Sequence, residues 1–448
     1  MLFWKYVERL RESSDMHGHG KTILFTLFLW PVSVGELSVN YSFVLFAAAS
    51  SLLARKIYRP NEWISAAVII FSVIFLFSLP FTLLASGDQL LRAYISFFIF
   101  MTIFSFAVTR IGSVDIGSFR SALILICCLF AGKSLLAFIV AGGSAAGWEL
   151  KNIVGSQRFG FVYIMGFFVL LYLAAPTIWL KIAKFGAISL VLVGIMLTFS
   201  RSSVIALGGA IGLHVVAKTL RWRTWHMRDL RNAATVMLVS LASVVALYTA
   251  FPMVFEFFSE RILFRYGRFF EMVIPFGLFT APDAPLPADI LIREGSEGTR
   301  LAIWKAIFEH TLKNPILGSG YLGSWVLESV STGSAHNQYM DVLLRVGFAG
   351  FMVWILILYK VFRFLRRHHP DLFWGGVGIL IYGLFHETFK ESQGAFVLAF
   401  LVGMYVNHLR DCTRTRYIQV AQRALVPIER SKARTTGFLS ILSSARNL

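Results

Sequence analysis

Apolar segments long enough to cross a lipid bilayer recur along the whole chain. A membrane-spanning helix needs about 20 predominantly apolar residues. Twelve apolar segments are candidates, although some are a few residues shorter than this length. They are 22–38, 40–54, 63–85, 90–109, 119–141, 159–176, 184–200, 202–217, 232–251, 339–361, 372–386 and 394–409. Only 15% of the residues are charged, against about 25% in soluble domains. The sequence therefore predicts an all-α polytopic membrane protein with about twelve transmembrane helices.

The positions of the basic residues indicate how the chain is oriented. There are 42 Lys and Arg residues against 24 Asp and Glu residues, a net charge of +18. The basic residues form short clusters between apolar segments, for example at 55–59 and 360–367, which argues against nucleic acid as a partner. With the N-terminus in the cytoplasm, 28 of the 42 lie on the cytoplasmic side or at that end of a span, as the positive-inside rule predicts. We therefore expect both termini in the cytoplasm and the long connection at 252–338 in the periplasm.

The same pattern divides the chain into four regions. Residues 1–251 are expected to form an N-terminal membrane domain of about nine helices, and residues 339–409 the C-terminal membrane helices. Residues 252–338 form the periplasmic loop between them. Residues 410–448 carry eight basic residues and little apolar periodicity. That composition is typical of a mostly disordered cytoplasmic tail with weak attraction to anionic lipid headgroups.

The long loop contains one predicted amphipathic helix, at 299–314. Thr299 is a candidate N-cap, and Pro315 ends the helix. Apolar residues recur at helical spacing, and the aromatic ones suit a helix lying at the membrane interface. These residues are Leu301, Trp304, Ile307, Phe308 and Leu312.

Two arginines near the predicted periplasmic face are candidate anion ligands. Arg201 ends the seventh apolar segment, and Arg300 opens the predicted loop helix, where a cation opposes the helix dipole. A guanidinium is always charged and presents a planar fork that suits phosphate oxygens. The alternatives are that Arg201 snorkels to the lipid headgroups and that Arg300 is an exposed arginine of little consequence.

His336 and Asn337 lie in the segment SAHNQY, directly before the tenth apolar segment. Imidazole titrates near neutral pH and can take a proton from a hydroxyl group. His336 is therefore a candidate general base, and Asn337 could orient a substrate or the imidazole ring. The alternative is a loop histidine at the membrane interface.

Two further polar features interrupt apolar sequence. Lys133 lies inside the fifth segment and is expected to face a cavity or a partner rather than lipid. Residues 386–392 (HETFKES) are either a satisfied polar turn or the lining of a substrate entrance. No Walker A or HExxH motif and no Cys or His spacing typical of a metal site occurs, so no metal or cofactor is expected.

An ordered set of short elements resembles the O-antigen ligase / Wzy-type polysaccharide polymerase superfamily. The elements are SR at 200–201, a long periplasmic loop, TR at 299–300, NPILGSG at 314–320, HNQY at 336–339 and GFAG at 347–350. The resemblance implies a GT-C-like transferase in which Arg201 and Arg300 bind the donor diphosphate and His336 is the catalytic histidine. The segment VGSQRFGFVY before the sixth span departs from many members, which carry an Asn or Pro-Asn there.

The resemblance also implies a function. The expected donor is an undecaprenyl-diphosphate-linked glycan in a bacterial inner membrane, and the expected partners are an acceptor glycan, membrane lipids, a flippase and a chain-length regulator. We expect the protein to polymerise oligosaccharide repeat units into a surface or secreted polysaccharide. The alternatives are a ligase that transfers the glycan to lipid A core or protein, and a transporter or flippase, which twelve spans would also fit.

Overall fold

The computed structural model is helical over most of the part of the chain that it describes. That part comprises residues 116–140, 159–198, 200–220, 296–327, 335–388 and 393–412, with a few single positions between 22 and 38 and at 245 and 249. The helices are α1 (Ile116–Val140), α2 (Gly160–Tyr172), α3 (Ile178–Leu197), α4 (Arg201–Thr219), α5 (Ser296–Lys313), α6 (Gln338–His368), α7 (Pro370–Tyr382) and α8 (393–412). Two short strands, β1 (Ser33–Val34) and β2 (Leu37–Ser38), pair antiparallel.

Four of the described helices, α1, α3, α4 and α6, are long and apolar enough to cross a membrane. They coincide with apolar segments of the sequence, which supports a polytopic helical membrane protein. α2 is apolar but has only 13 residues, about 20 Å of helix. The predicted spans 40–54, 63–85, 90–109 and nearly all of 232–251 lie outside the described residues. The total of twelve spans and the division into four regions therefore stay predictions.

The first predicted span, 22–38, is wrong in its second half. The described positions from 22 to 29 are helical, but β1 and β2 occupy positions between Ser33 and Ser38. The sequence offers a physical reason in Pro31 and Gly35. Proline removes a backbone donor inside a helix, and glycine favours a turn.

α2 is the centre of the helical core. All its residues from Gly160 to Leu170 are buried, and α1, α3, α4 and α7 pack around it. A helix that is apolar on every side is suited to this place because each side meets another helix. Small residues bring the neighbours close: a Cβ added at Gly378 of α7 would lie 2.3 Å from the side chain of Ile164.

Contacts between helix ends show which ends lie on the same side of the bundle. At one end, a Cβ added at Gly160 would touch both Ser203 and Tyr382. At the other end, Arg120 of α1 donates two hydrogen bonds, of 2.6 and 2.7 Å, to Asp371 of α7. This arrangement agrees with the alternating orientation predicted from the basic residues. The end that contains Gly160, Ser203 and Tyr382 is called the site end below.

The loop helix α5 begins earlier than the sequence predicted. It extends from Ser296 to Lys313, so Thr299 is inside the helix and is not its N-cap. Arg300 consequently lies in the second turn, where it no longer opposes the helix dipole as strongly. The predicted end before Pro315 is confirmed.

Only part of the predicted apolar face of α5 is buried. Ile303 and Ile307 are buried against α6, whereas Phe308 and Leu312 are 47% and 57% exposed. α5 therefore has a second apolar face, as expected of a helix at a membrane interface. Trp304 points toward the protein, because its indole N–H donates to the Ala335 carbonyl at 3.0 Å.

The segment after α5, residues 314–323, packs against a break in α6 and is called the glycine loop. Gly347, with φ of 65°, interrupts the helical backbone of α6. The amides of Ser319 and Tyr321 donate to main-chain carbonyls of α6 at 2.6 and 3.0 Å, and the Phe348 amide donates to a carbonyl of the loop at 2.7 Å. These main-chain bonds explain in physical terms why NPILGSG and GFAG occur in the same chain.

The glycine loop has the spacing of a nucleotide-binding motif but not its structure. Gly318, Gly320 and Gly323 match G-x-G-x-x-G, a pattern that binds dinucleotides when it follows a strand and opens a helix. Here it follows α5, and two of its amides, those of Ser319 and Tyr321, are bonded to α6. Gly318 and Gly347 instead allow two backbones to touch. A Cβ added at Gly318 would lie 2.3 Å from a carbonyl oxygen of α6.

We expect Gly318→Ala and Gly347→Ala to destabilise the protein. Each added Cβ would lie within 2.6 Å of main-chain atoms, and alanine in the left-handed region costs about 1–2 kcal/mol. The melting temperature in detergent should therefore fall by about 2–5 °C. Gly212→Ala is the matched control, because nothing lies within 4 Å of the added Cβ. Equal melting temperatures for all three variants would contradict this packing.

Candidate active site

Arg201 is the first residue of α4, at the site end of the bundle. It lies in the hairpin between α3 and α4, as predicted, but it belongs to the second helix rather than to the end of the first. Ser200 is the N-cap and makes no side-chain capping bond. The amides and the dipole at a helix N-terminus attract anions, and the guanidinium adds a fixed positive charge at the same place.

A chain of hydroxyl groups connects the start of α4 to His386. Ser200 Oγ lies 2.8 Å from Ser202 Oγ, which in turn lies 2.7 Å from His386 Nε2. The imidazole ring of His386 stacks on Tyr382, with centroids 4.6 Å apart and 17° between the planes. Both serines are buried, so this chain rather than solvent orients their hydroxyls. His386 therefore belongs to the surroundings of Arg201.

The turn that contains His386, residues 383–388, also holds the segment before α6. Two main-chain carbonyls of this turn accept hydrogen bonds from the Asn337 side chain and the Gln338 amide, at 3.0 and 2.7 Å. The Glu387 carboxylate accepts a hydrogen bond from the Ala335 amide. The 383–388 turn thus connects the start of α4 with the segment that carries the candidate base.

His336 is held in a left-handed backbone conformation. Its φ is 51°, which is uncommon for a residue other than glycine and costs roughly 1–3 kcal/mol. Hydrogen bonds fix the residues on both sides, since Ala335 is bonded to Glu387 and Trp304 and Asn337 is bonded to α6. Such conformations persist only where the surroundings impose them, and they cluster at functional sites. His336 itself is half-buried.

Trp304 brings α5 to the same segment. Its indole nitrogen lies 3.0 Å from the carbonyl oxygen of Ala335, the residue before His336. Arg300 is four residues before Trp304 in α5 and therefore lies on the same side of the helix. The half-buried Arg300 is thus on the side of α5 that faces the segment containing His336.

Asn337 is the N-cap of α6. Its side-chain oxygen accepts hydrogen bonds from the amides of Tyr339 and Met340, at 2.9 and 3.1 Å. Its side-chain nitrogen donates to the Leu384 carbonyl at 3.0 Å, and the residue is only 5% exposed. These contacts set the direction of the chain beside His336. A direct contact between Asn337 and a substrate, as the sequence suggested, stays a prediction.

A buried ion pair supports the site from within α6. Arg345 donates to the Asp341 carboxylate and to the Tyr321 carbonyl, both at 2.8 Å. The side chains of Arg345 and Asp341 are only 13% and 3% exposed. The Glu387 carboxylate is close enough to interact electrostatically with Arg345. The guanidinium therefore joins α6, the glycine loop and the 383–388 turn.

Sequence reasoning missed the residues that connect these elements. Asp341 and Arg345 carry a usable signal, because opposite charges four residues apart in an apolar segment are expected to pair. For 386–392 the sequence left two interpretations open. His386 and Glu387 form hydrogen bonds within the protein, which favours a polar turn at these two positions. Residues 389–392 lie outside the described part of the chain.

Lys133 is not part of this arrangement. It is exposed on α1, and its Nζ lies 5.5 Å from the centroid of the Phe130 ring. A cavity or partner facing Lys133 stays a prediction. Within the described ranges, no group of three or more His, Cys, Asp or Glu side chains could hold a metal ion.

A comparison with known protein families identifies the central part of the chain. Residues 186–355 match the O-antigen ligase family model. The match covers less than half of the chain. It begins in α3, ends in α6, and contains Arg201, Arg300 and His336. No curated protein matches the chain. The resemblance inferred from the short motifs is therefore confirmed, and it supports a membrane enzyme that transfers glycosyl groups.

We expect Arg345→Met to destabilise the protein strongly. Asp341 and Glu387 would retain buried negative charge without the cation, and breaking a buried ion pair typically costs about 3–5 kcal/mol. The double variant Arg345→Met/Asp341→Leu should recover part of the loss, because it also removes one uncompensated carboxylate. Melting temperatures of the three proteins in detergent test this order. A single variant as stable as the unmodified protein would show that the ion pair contributes little.

Proposed function

We propose that this protein polymerises undecaprenyl-diphosphate-linked oligosaccharide repeat units on the periplasmic side of a bacterial inner membrane. The observation that carries the proposal is the placement of Arg201, Arg300 and His336 on α4, α5 and the segment before α6, within a stretch that matches the O-antigen ligase family. Hydrogen bonds connect α5 to that segment, and the 383–388 turn connects the segment to α4. We further propose a GT-C-like fold with both termini in the cytoplasm, and a reaction that needs no metal.

In the proposed reaction, a hydroxyl group of the acceptor attacks C1 of the donor sugar. The new C1–O bond forms as the bond between C1 and the diphosphate oxygen breaks, so the anomeric configuration inverts. His336 takes the proton of the attacking hydroxyl as general base. Undecaprenyl diphosphate leaves with the electron pair of the broken bond and therefore with additional negative charge.

Arg201 and Arg300 stabilise that developing charge. A guanidinium binds phosphate oxygens through two parallel hydrogen bonds, and fixed cations in a partly dry site act without reorganisation during the reaction. Arg201 has the added support of the α4 N-terminus, whose amides and dipole also favour an anion. Its half-buried position beside hydrogen-bonded serines supports this role over snorkelling to lipid headgroups.

The fixed backbone at His336 supports its assignment as the base. A general base must come within hydrogen-bond reach of the proton that it removes, and bonds on both sides of His336 restrict where its ring can lie. In this proposal Asn337 contributes by capping α6, which directs the chain at His336. A contact between Asn337 and the substrate stays a prediction beside this positioning role.

The membrane location follows from the proposed substrate. The polyprenyl tail stays in the bilayer while the diphosphate and sugar reach the periplasmic end of the protein. The exposed apolar residues Phe308 and Leu312 of α5 suit a helix that lies beside such a substrate at the interface. A flippase that delivers the repeat unit and a chain-length regulator stay proposed partners.

A ligase is the second candidate function, because the matching family model is described as O-antigen ligase. A ligase would use the same donor and the same three residues, and it would transfer the glycan to lipid A core or to a protein. A transporter has less support. Transporters place their sites near the bilayer midplane, whereas the polar residues of the candidate active site gather at one end of the bundle.

Deletion of the gene distinguishes polymerase from ligase. A polymerase mutant should lose long polymer and retain single repeat units, because assembly and export of the repeat unit continue. A ligase mutant should instead accumulate lipid-linked polymer that is not attached to its acceptor. Electrophoresis of surface glycans, together with analysis of extracted lipid-linked glycans, separates the two outcomes. An unchanged glycan profile in both fractions would contradict either function.

Substitutions in the site test the assigned roles. Arg201→Ala, Arg300→Ala and His336→Ala should each lower polymer formation by about 100-fold or more, since losing a group that stabilises transition-state charge or a general base typically has that effect. Lys should rescue the two arginines only partly, because it lacks the planar fork. His336→Ala should still bind the lipid-linked donor. Arg367→Ala, an exposed arginine at the opposite end of α6, is the control and should retain full activity.

A further inference from the structure

A second histidine lies at the site end, and the reaction proposed above gives it no role. His386 contacts Ser202, the residue after Arg201, at 2.7 Å, and Ser202 contacts Ser200 at 2.8 Å. The stacked ring of Tyr382 fixes the plane of the imidazole. His386 is therefore placed to act on the first turn of α4 through a single hydroxyl group.

The Ser202 hydroxyl has only one hydrogen to donate, so its two neighbours decide where that hydrogen points. When His386 Nε2 carries no hydrogen, the hydroxyl donates to it and has nothing left for another acceptor. When Nε2 carries a hydrogen, Nε2 donates to Ser202, whose own hydrogen is then directed elsewhere. The state of His386 consequently determines whether Ser202 can donate to an anion at the start of α4.

We propose that His386 is a positioning residue of the donor site, which turns the Ser202 hydroxyl into a hydrogen-bond donor for the diphosphate of the lipid-linked glycan. The proposal rests on the proposed function, and in particular on a diphosphate beside Arg201. His386 does not touch the substrate in this arrangement. Ser202 touches it, and His386 holds Ser202 in the donating orientation.

The surrounding groups are compatible with this task. An anionic acceptor at the start of α4 favours the state in which Ser202 donates, because hydrogen bonds to charged groups are roughly twice as strong as neutral ones. Ser200 can supply its own hydrogen to Ser202, so that the chain from His386 remains satisfied. The carboxylate of Glu387, the neighbour of His386, accepts a hydrogen bond from the Ala335 amide.

Binding of undecaprenyl diphosphate to the full-length protein in lipid nanodiscs tests the proposal. Ser202→Ala and His386→Met should each weaken binding about tenfold, the effect of losing one hydrogen bond to a charged group. His386→Gln is the matched variant of similar length that keeps an N–H group, and it should bind within about threefold of the unmodified protein. His368→Gln, at the opposite end of the bundle, should leave binding unchanged.

The double variant separates positioning from a merely structural role. If His386 acts only through Ser202, then Ser202→Ala/His386→Met should bind no more weakly than either single variant. Losses that multiply would overturn the proposal, as would unchanged binding in Ser202→Ala, which remains informative if His386→Met fails to fold. Failure of the unmodified protein to bind undecaprenyl diphosphate would refute the proposed function instead.

Discussion

Backbone amides and carbonyls within a bilayer must find their partners inside the protein, and this requirement organises the site end of the bundle. The chain leaves helical geometry at the start of α4, before α6 and after α7, where amides and carbonyls lose their helical partners. Asn337, Glu387 and Trp304 supply several of the replacements with their side chains. The groups that satisfy the main chain are therefore the same groups that bring the candidate catalytic elements together.

This arrangement has an electrostatic consequence. Arg201 and Arg300 lie in two different helices, α4 and α5. A hydrogen bond from Trp304, and not apolar packing alone, holds α5 against the segment before α6. Catalysis by fixed charges depends on charges that do not have to move during the reaction. The buried pair of Arg345 and Asp341 also holds these elements in place, because Arg345 connects α6 to the glycine loop that precedes it in the chain.

The parts of the structure that depend on local sequence could be predicted, and the parts that depend on distant contacts could not. The lengths of the apolar segments predicted the positions of α1, α3, α4 and α6, and Pro315 predicted the end of α5. The first predicted span failed at β1 and β2, where turn-forming residues outweigh apolar composition. The contact between Ser202 and His386 joins residues 184 positions apart, so no local sequence pattern predicts it. The order of the motifs nevertheless pointed to the family whose model matches residues 186–355, since it reflects contacts between backbones.

The docking of α5 onto α6 joins two helices that are close together in the chain. α5 is joined to α6 by Ile303, Ile307 and the indole of Trp304 and then by the glycine loop, all within a continuous stretch of chain. The spatial relation between Arg300 and His336 therefore does not depend on the length of the connection from α4 to α5. Lengthening a connection of that kind changes its closure entropy only slowly. Insertions in that connection outside the predicted span 232–251 should therefore leave the relation between Arg300 and His336 unchanged.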